Sequence, residues 1–312
     1  MKIGISITNF SWPGPASEMG ARVAHIAQTA DQAGVDSLWT MDHFFQIRIG
    51  GQPPEAPMLE AYATLAFMAG LTQRARLGVM VTSVAYRHPG VLIKAVTTLD
   101  VLTGGRVTLG IGAGAPWDEP PPGLSPQDFE APGLGIPFPS LAERFERLEE
   151  VLQIAHQMWR GDEAPFAGTH YQLARPLNSP NSVQRPHPPV LVGGSGERKT
   201  LRLVARYADA CNLFDLPGTG FRDNLAHKLS SLRRHCDSVG RNYEEIEKTV
   251  ASFLDLGDDV AAGLDGWLAH LEDLAKLGIE HVIVAPRGPW GPASLEALCS
   301  VLPKAHAIPD AA

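Results

Sequence analysis

One punctuation recurs along this chain and limits what it can fold into: a stretch of helical period, then glycine, then a short apolar run. Ala33-Gly34-Val35-Asp36-Ser37-Leu38-Trp39 and Leu277-Gly278-Ile279-Glu280-His281-Val282-Ile283 are near-copies of it at opposite ends of the sequence. Glycine just past the last helical turn takes the left-handed C′ conformation that other residues resist. Further helix-to-strand junctions fall at 74–79, 103–108 and 205–210. Strand-like runs at 3–9, 36–41, 76–82, 106–112, 189–193, 209–214, 247–254 and 281–285 are each followed by a helical segment. Eight βα units predict a (β/α)8 TIM barrel, with a doubly wound open sheet as the alternative that has the same alternation. The clearest helix is 140–160, where Ser140 and Glu143 form a capping box and Leu141, Phe145, Leu148, Leu152, Ala155 and Trp159 share one face.

Two stretches break the rhythm. Residues 113–139 are crowded with proline and glycine and predict a long excursion without regular helix or sheet; residues 161–188 are also proline-rich and carry a hairpin signal at 165–172. Both read as insertions on the rim of a single domain spanning 1–312, after the fourth strand and before the fifth. Of the 312 residues 44% are hydrophobic, enough for a large core, and 26 basic against 34 acidic side chains leave a net charge of −8. That balance gives no pull toward nucleic acid or an anionic membrane. Cys211, Cys236 and Cys299 are odd in number and far apart, which predicts reduced thiols and no metal centre. With no leader-like start and no run of 18 apolar residues, the expected location is the cytoplasm.

In a barrel of this kind the chemistry belongs at the C-terminal ends of the strands. The second strand ends in Asp42-His43, a carboxylate and an imidazole suited to proton transfer, or else a helix-capping Asp beside a packing His. The third passes through Met80-Val81-Thr82-Ser83 toward Tyr86-Arg87-His88-Pro89. The fourth ends Gly110-Ile111-Gly112-Ala113-Gly114, whose missing side chains let a flat ligand approach the backbone, or mark a tight bend. The fifth ends Gly193-Gly194-Ser195-Gly196 before a helix, a glycine-rich turn that can offer free N–H groups and a hydroxyl to a phosphate. Asn212 and Asp215 approach the same rim from the sixth strand. No G-x-S-x-G elbow or H-E-x-x-H motif points to hydrolysis or to zinc.

Taken in order, Gly34 to Trp39 with Asp42-His43, Arg87-His88-Pro89 through Lys94 to Leu99-Asp100-Val101-Leu102-Thr103-Gly104-Gly105-Arg106, Gly110 to Gly114, and Pro189 to Gly196 resemble the luciferase-like monooxygenase superfamily, in its branch of coenzyme F420-dependent oxidoreductases. The resemblance implies a deazaflavin at the strand C-termini, its tail phosphate on Gly194, Ser195 and Gly196. It also implies a backbone bulge at Met80-Val81-Thr82, often with a non-proline cis peptide, behind the ring. His43, with Asp42, would lie near the transferred hydride, and the chain would pair as a homodimer. A ring of Trp39, Phe44, Trp117 and Phe214 suits a small, partly apolar organic substrate. Relatives that oxidise sugar phosphates carry an acid where this chain has Ala115, so Asp118 or Glu119 is the candidate replacement. Two other readings stay open: an FMN-dependent monooxygenase using oxygen, and a barrel that carries the deazaflavin without catalysis.

Overall fold

The computed structural model describes residues 1–47, 52–114, 126–216, 220, 222–257 and 259–309. Its strands are β1 (Lys2–Ile7), β2 (Ser37–Thr40), β3 (Arg76–Val79), β4 (Thr82–Ser83), β5 (Val107–Gly112), β6 (Phe166–Ala167), β7 (Gln172–Leu173), β8 (Val190–Gly193), β9 (Ala210–Asp215), β10 (Glu247–Leu254) and β11 (His281–Pro286). Its helices are α1 (Met19–Ala33), α2 (Ala61–Ala69), α3 (Pro89–Thr103), α4 (Pro126–Gly133), α5 (Leu141–Trp159), α6 (Thr200–Tyr207), α7 (Leu225–Val239), α8 (Val260–Lys276) and α9 (Pro292–His306).

Eight parallel strands run in the order β1-β2-β3-β5-β8-β9-β10-β11, and β11 pairs back onto β1. Closure excludes the open doubly wound sheet. β4 continues β3 beyond residues 80 and 81 and pairs with β5, and the expected hairpin is β6–β7. With β3 and β4 taken together, the strand bounds fall within two residues of those expected. Gly34 and Gly278 adopt φ of +97° and +88° after α1 and α8, as the repeated punctuation requires.

The excursion after β5 departs from the expectation, because it contains α4. Pro126 opens that helix, where a missing N–H costs nothing, and Pro132 with Gly133 closes it about two turns later. Proline abundance is thus compatible with a short helix when the prolines stand at its ends.

Alternate strand residues face outward and inward. Outward, Ile3, Ile5, Ile7, Leu38, Leu77, Leu109, Val192, Leu213 and Val284 pack beneath the helices as one core. Several inward positions are small, among them Gly4, Gly78, Thr108, Gly110 and Ala210, and a single indole fills the space they leave. Trp39 packs with Leu191, Ala210 and Ile283, and its Nε1 donates to Ser37 Oγ at 2.7 Å. A Cβ on Gly78 would stand 2.3 Å from that indole. One on Gly110 would stand 2.0 Å from the Val79 carbonyl oxygen.

At the N-terminal mouth a cavity of about 600 Å³ is lined by Lys2, Arg76, Glu247 and His281, with Ser37 and Trp39 beneath them. Burial pushes the Glu247 carboxyl up, but His281 and Lys2 outweigh it and hold that carboxyl down at about 2. This end of a barrel carries stability, whereas chemistry belongs to the other. Among the described residues no helix is long and apolar enough to cross a membrane.

The lumen packing has a direct test in urea unfolding followed by circular dichroism. Gly110→Ala should cost about 3 kcal/mol, because the obstacle is backbone and cannot rotate away. Gly266→Ala, on an exposed turn of α8 with nothing near the added methyl, should instead stabilise by roughly 0.5–1 kcal/mol. A Gly110→Ala midpoint at or above that of the wild type contradicts this packing.

Candidate active site

The C-terminal mouth is built around the junction of β3 and β4. The Met80–Val81 peptide is cis, as the resemblance implies, and the Met80 N–H donates to the Thr40 carbonyl at 2.7 Å. Val81 lies over two glycines: a Cβ on Gly193 would stand 2.7 Å from Val81 Cγ1, and one on Gly112 3.0 Å from Cγ2. These glycines therefore make room for a protein side chain. Thr82 is buried, with its hydroxyl 2.8 Å from the Tyr62 phenol. Ala113 gives its carbonyl to Arg144 at 2.7 Å, and Gly114, at φ +80°, leaves space for the same guanidinium. The strand-four glycines are thus largely consumed by packing.

Asp42 and His43 part company. The Asp42 carboxylate is buried and accepts the Ser83 N–H at 3.0 Å and Arg87 Nη1 at 2.8 and 2.7 Å. Arg87 also reaches Glu60 and lies over the Tyr62 ring, 4.7 Å from its centroid. Burial pushes the Asp42 carboxyl up, and the hydrogen bonds and charge of Arg87 pull against it. Burial likewise opposes the charge on Arg87, yet the bonds to Asp42 hold that guanidinium above its ordinary value. Asp42 therefore reads as a structural anchor tying the end of β2 to β4 and to the start of α3.

His43 turns the other way and keeps one-fifth of its side chain exposed. Its Nδ1 lies 2.9 Å from Glu130 Oε2, brought across the mouth by α4. Glu130 also accepts from the Phe44 N–H and from the Tyr86 phenol at 3.0 Å. Burial, and then the neighbouring Glu130 charge, raise the Tyr86 phenol above its ordinary range, so it stays a donor. Phe44, Tyr86 and Phe138 form a half-buried aromatic wall, with ring centroids 5.1 and 6.2 Å apart.

The turn after β8 keeps donors to spare. The Gly194 N–H, at φ +123°, goes to the Asn212 carbonyl at 3.0 Å, and the Gly196 carbonyl accepts Leu201 N–H. Among the described residues no hydrogen bond engages the N–H groups of Ser195 and Gly196. They stand just ahead of α6, where an anion is favoured. The Asn212 side chain turns to Thr249 at 2.8 Å. Asp215 is fully buried: burial works against its charge, but His270, Arg222 and Ser252 hold its carboxyl below the usual range.

The expected aromatic ring is only partly assembled. Trp39 fills the lumen, since at an inward strand position its indole has nowhere else to pack. Phe44 reaches the mouth, and half-buried Phe214 shares the inward face of β9 with Ala210 and Asn212. Trp117, Ala115, Asp118 and Glu119 lie outside the described residues. Three participants escaped the sequence reading. Nothing local marks Tyr86, in the lead-in to α3, or Glu130, in a proline-rich stretch that predicts no helix; Arg144 is a charge on the buried side of an apolar helix face, the one signal that points to it.

A closed parallel barrel with an anion-ready turn and an imidazole–carboxylate pair at its C-terminal mouth is the architecture of a cofactor-dependent barrel enzyme. The luciferase-like monooxygenase family profile matches residues 1–285, and the chain belongs to that family. It is 36% identical over 284 residues to an F420-dependent glucose-6-phosphate dehydrogenase of Beutenbergia cavernae, covering 88% of this chain and 74% of the relative. It is 29% identical over 252 residues to the enzyme of the same name from Kineococcus radiotolerans, covering 78% of this chain and 66% of the relative. A solved structure of an F420-dependent secondary alcohol dehydrogenase with an F420–acetone adduct superposes with a TM-score of 0.77 at 16% identity, covering 97% of this chain and 98% of that one.

Asp42→Ala would leave half-buried Arg87 with Glu60 as its remaining carboxylate partner and would unpair the buried Ser83 N–H. Thermal and urea unfolding should register a loss of about 3–5 kcal/mol. A loss below 1 kcal/mol would show that Asp42 is no anchor.

Proposed function

We propose that this protein is an oxidoreductase that moves a hydride between coenzyme F420 and a small, partly apolar organic substrate. The observation that carries the reading is the pair of unengaged N–H groups at Ser195 and Gly196, beside the Ser195 hydroxyl and ahead of a helix. That set fits the tail phosphate of such a coenzyme. The kinship with F420-dependent dehydrogenases favours the deazaflavin over FMN. When bound, the deazaflavin supplies or accepts the hydride.

The chain's own residues would do the rest. Val81, braced by Gly112 and Gly193, presents a rigid apolar ridge toward the ring, and Met80 and Thr82 flank it. His43, with Nδ1 turned to Glu130, has Nε2 left for a substrate oxygen. Phe44, Tyr86 and Phe138 exclude water and suit an alcohol or ketone with an apolar arm better than a sugar phosphate.

Titration of the purified protein with F420 and with FMN tests the cofactor, and a panel of small alcohols and ketones tests the reaction. Wild type should prefer F420. Ser195→Asp should weaken F420 binding at least tenfold, or about 1.4 kcal/mol, by setting a carboxylate against the phosphate. FMN binding without F420 binding, or oxygen uptake with reduced FMN, would favour the monooxygenase reading. Tight F420 binding with no turnover on any substrate would favour the carrier.

A cytoplasmic homodimer completes the proposal. Val91 and Leu102 are 66% and 77% exposed on one face of α3, with Phe67 of α2 also exposed, an apolar patch of the kind that marks an interface. Sedimentation should give twice the chain mass, and Val91→Glu with Leu102→Glu should give monomer. A wild-type monomer at micromolar concentration would exclude the pairing.

A further inference from the structure

α4 delivers one carboxylate to four donors. Glu130 Oε2 faces His43 Nδ1 at 2.9 Å and the Tyr86 phenol at 3.0 Å, while Oε1 takes the Phe44 N–H and, at 3.4 Å, the Phe45 N–H. Only 2% of the side chain is exposed. Taking a carboxylate out of water to this degree is strongly unfavourable unless its lone pairs are met. Among the described residues no lysine or arginine pairs with it, so two peptide N–H groups, a phenol and one imidazole carry the compensation. Of these four, only the imidazole can exchange which of its nitrogens bears the proton.

We infer that Glu130 is a positioning residue for His43, locking the ring with its proton on Nδ1 and Nε2 turned to the substrate. An acceptor-only carboxylate at 2.9 Å forbids a bare Nδ1, since two lone pairs would then face each other. The ring is fixed in rotation as well, because Glu130 is itself held by Phe44 and Tyr86. Its role in turnover rests on the proposed hydride transfer; its hold on the ring does not. When a hydroxyl becomes a carbonyl, one proton leaves its oxygen as the hydride leaves its carbon. Nε2 takes that proton, and Glu130 stabilises the doubly protonated ring. In the reverse direction Nε2–H returns it to the carbonyl oxygen. The same logic governs the acid that orients a catalytic histidine in other enzymes, where the wrong tautomer abolishes most of the rate.

Long-range proton–nitrogen correlation spectra of the cofactor-free protein read the tautomer directly, with His43→Asn assigning the resonances. Wild type should carry a proton on Nδ1. Glu130→Gln keeps the volume and an oxygen for Phe44, but turns an amide N–H toward Nδ1 and should move the ring proton to Nε2. With F420 and substrate, kcat should fall by about 10- to 1000-fold, with KM and F420 affinity within about twofold of wild type. A wild-type proton on Nε2 alone, an unmoved proton in Glu130→Gln, or an unchanged kcat would each overturn the inference, and the first needs no variant to fold. A tautomer that moves in a protein binding no F420 would overturn the proposed function and leave the hold of Glu130 on His43 standing.

Discussion

The barrel stands on the filling of its own lumen. A closed ring of eight parallel strands encloses space that must be packed to the density of the rest of the core. Here one indole occupies much of it, with glycine on the facing strands. Trp39 is admitted because Gly78 has no side chain, and β3 approaches β5 closely because Gly110 has none. The indole N–H is met by Ser37, whose hydroxyl in turn meets His281 across the base of the barrel at 2.9 Å. A large residue among small ones fixes the strand register more firmly than uniform packing would, since a slip of one position would set Trp39 against a β-branched neighbour.

On that frame the C-terminal mouth divides its polar groups between holding and acting. Two consecutive residues at the end of β2 take opposite parts. Asp42 goes inward, into a buried ion pair with Arg87 that ties three segments together. His43 goes outward, into a partnership with a carboxylate from an insertion more than eighty residues away in sequence. The insertion after β5 is therefore more than a cover over the mouth. Through Glu130 it completes the polar environment of the His43 imidazole, and through Phe138 it adds an aromatic wall.

How much of this the sequence disclosed follows the range of the forces involved. The eight strands, the glycine C-caps and the Ser140 N-cap of α5 were legible, because each is set by residues a few positions apart; the Glu143 half of the expected capping box goes to Arg147 instead. The turn at 193–196 was legible for the same reason. Trp39 was misjudged: its place at a strand end suggested the rim, but the parity of β2 sends it inward with Ser37. The glycines of β5 looked like room for a ligand, and only the fold reveals Val81, Arg144 and the Val79 carbonyl filling it. Glu130 was beyond reach, since nothing local marks a carboxylate whose four partners all come from other parts of the chain.

The contact of Val81 with Gly112 and Gly193 makes volume at those three positions a shared quantity. A lineage that enlarged either glycine would have to shrink residue 81, and one that enlarged residue 81 would find no glycine left to give way. Covariation among the three would then be the evolutionary trace of a mechanical fact: the shelf at the junction of β3 and β4 is a peg in two sockets, and its height changes only when peg and sockets change together.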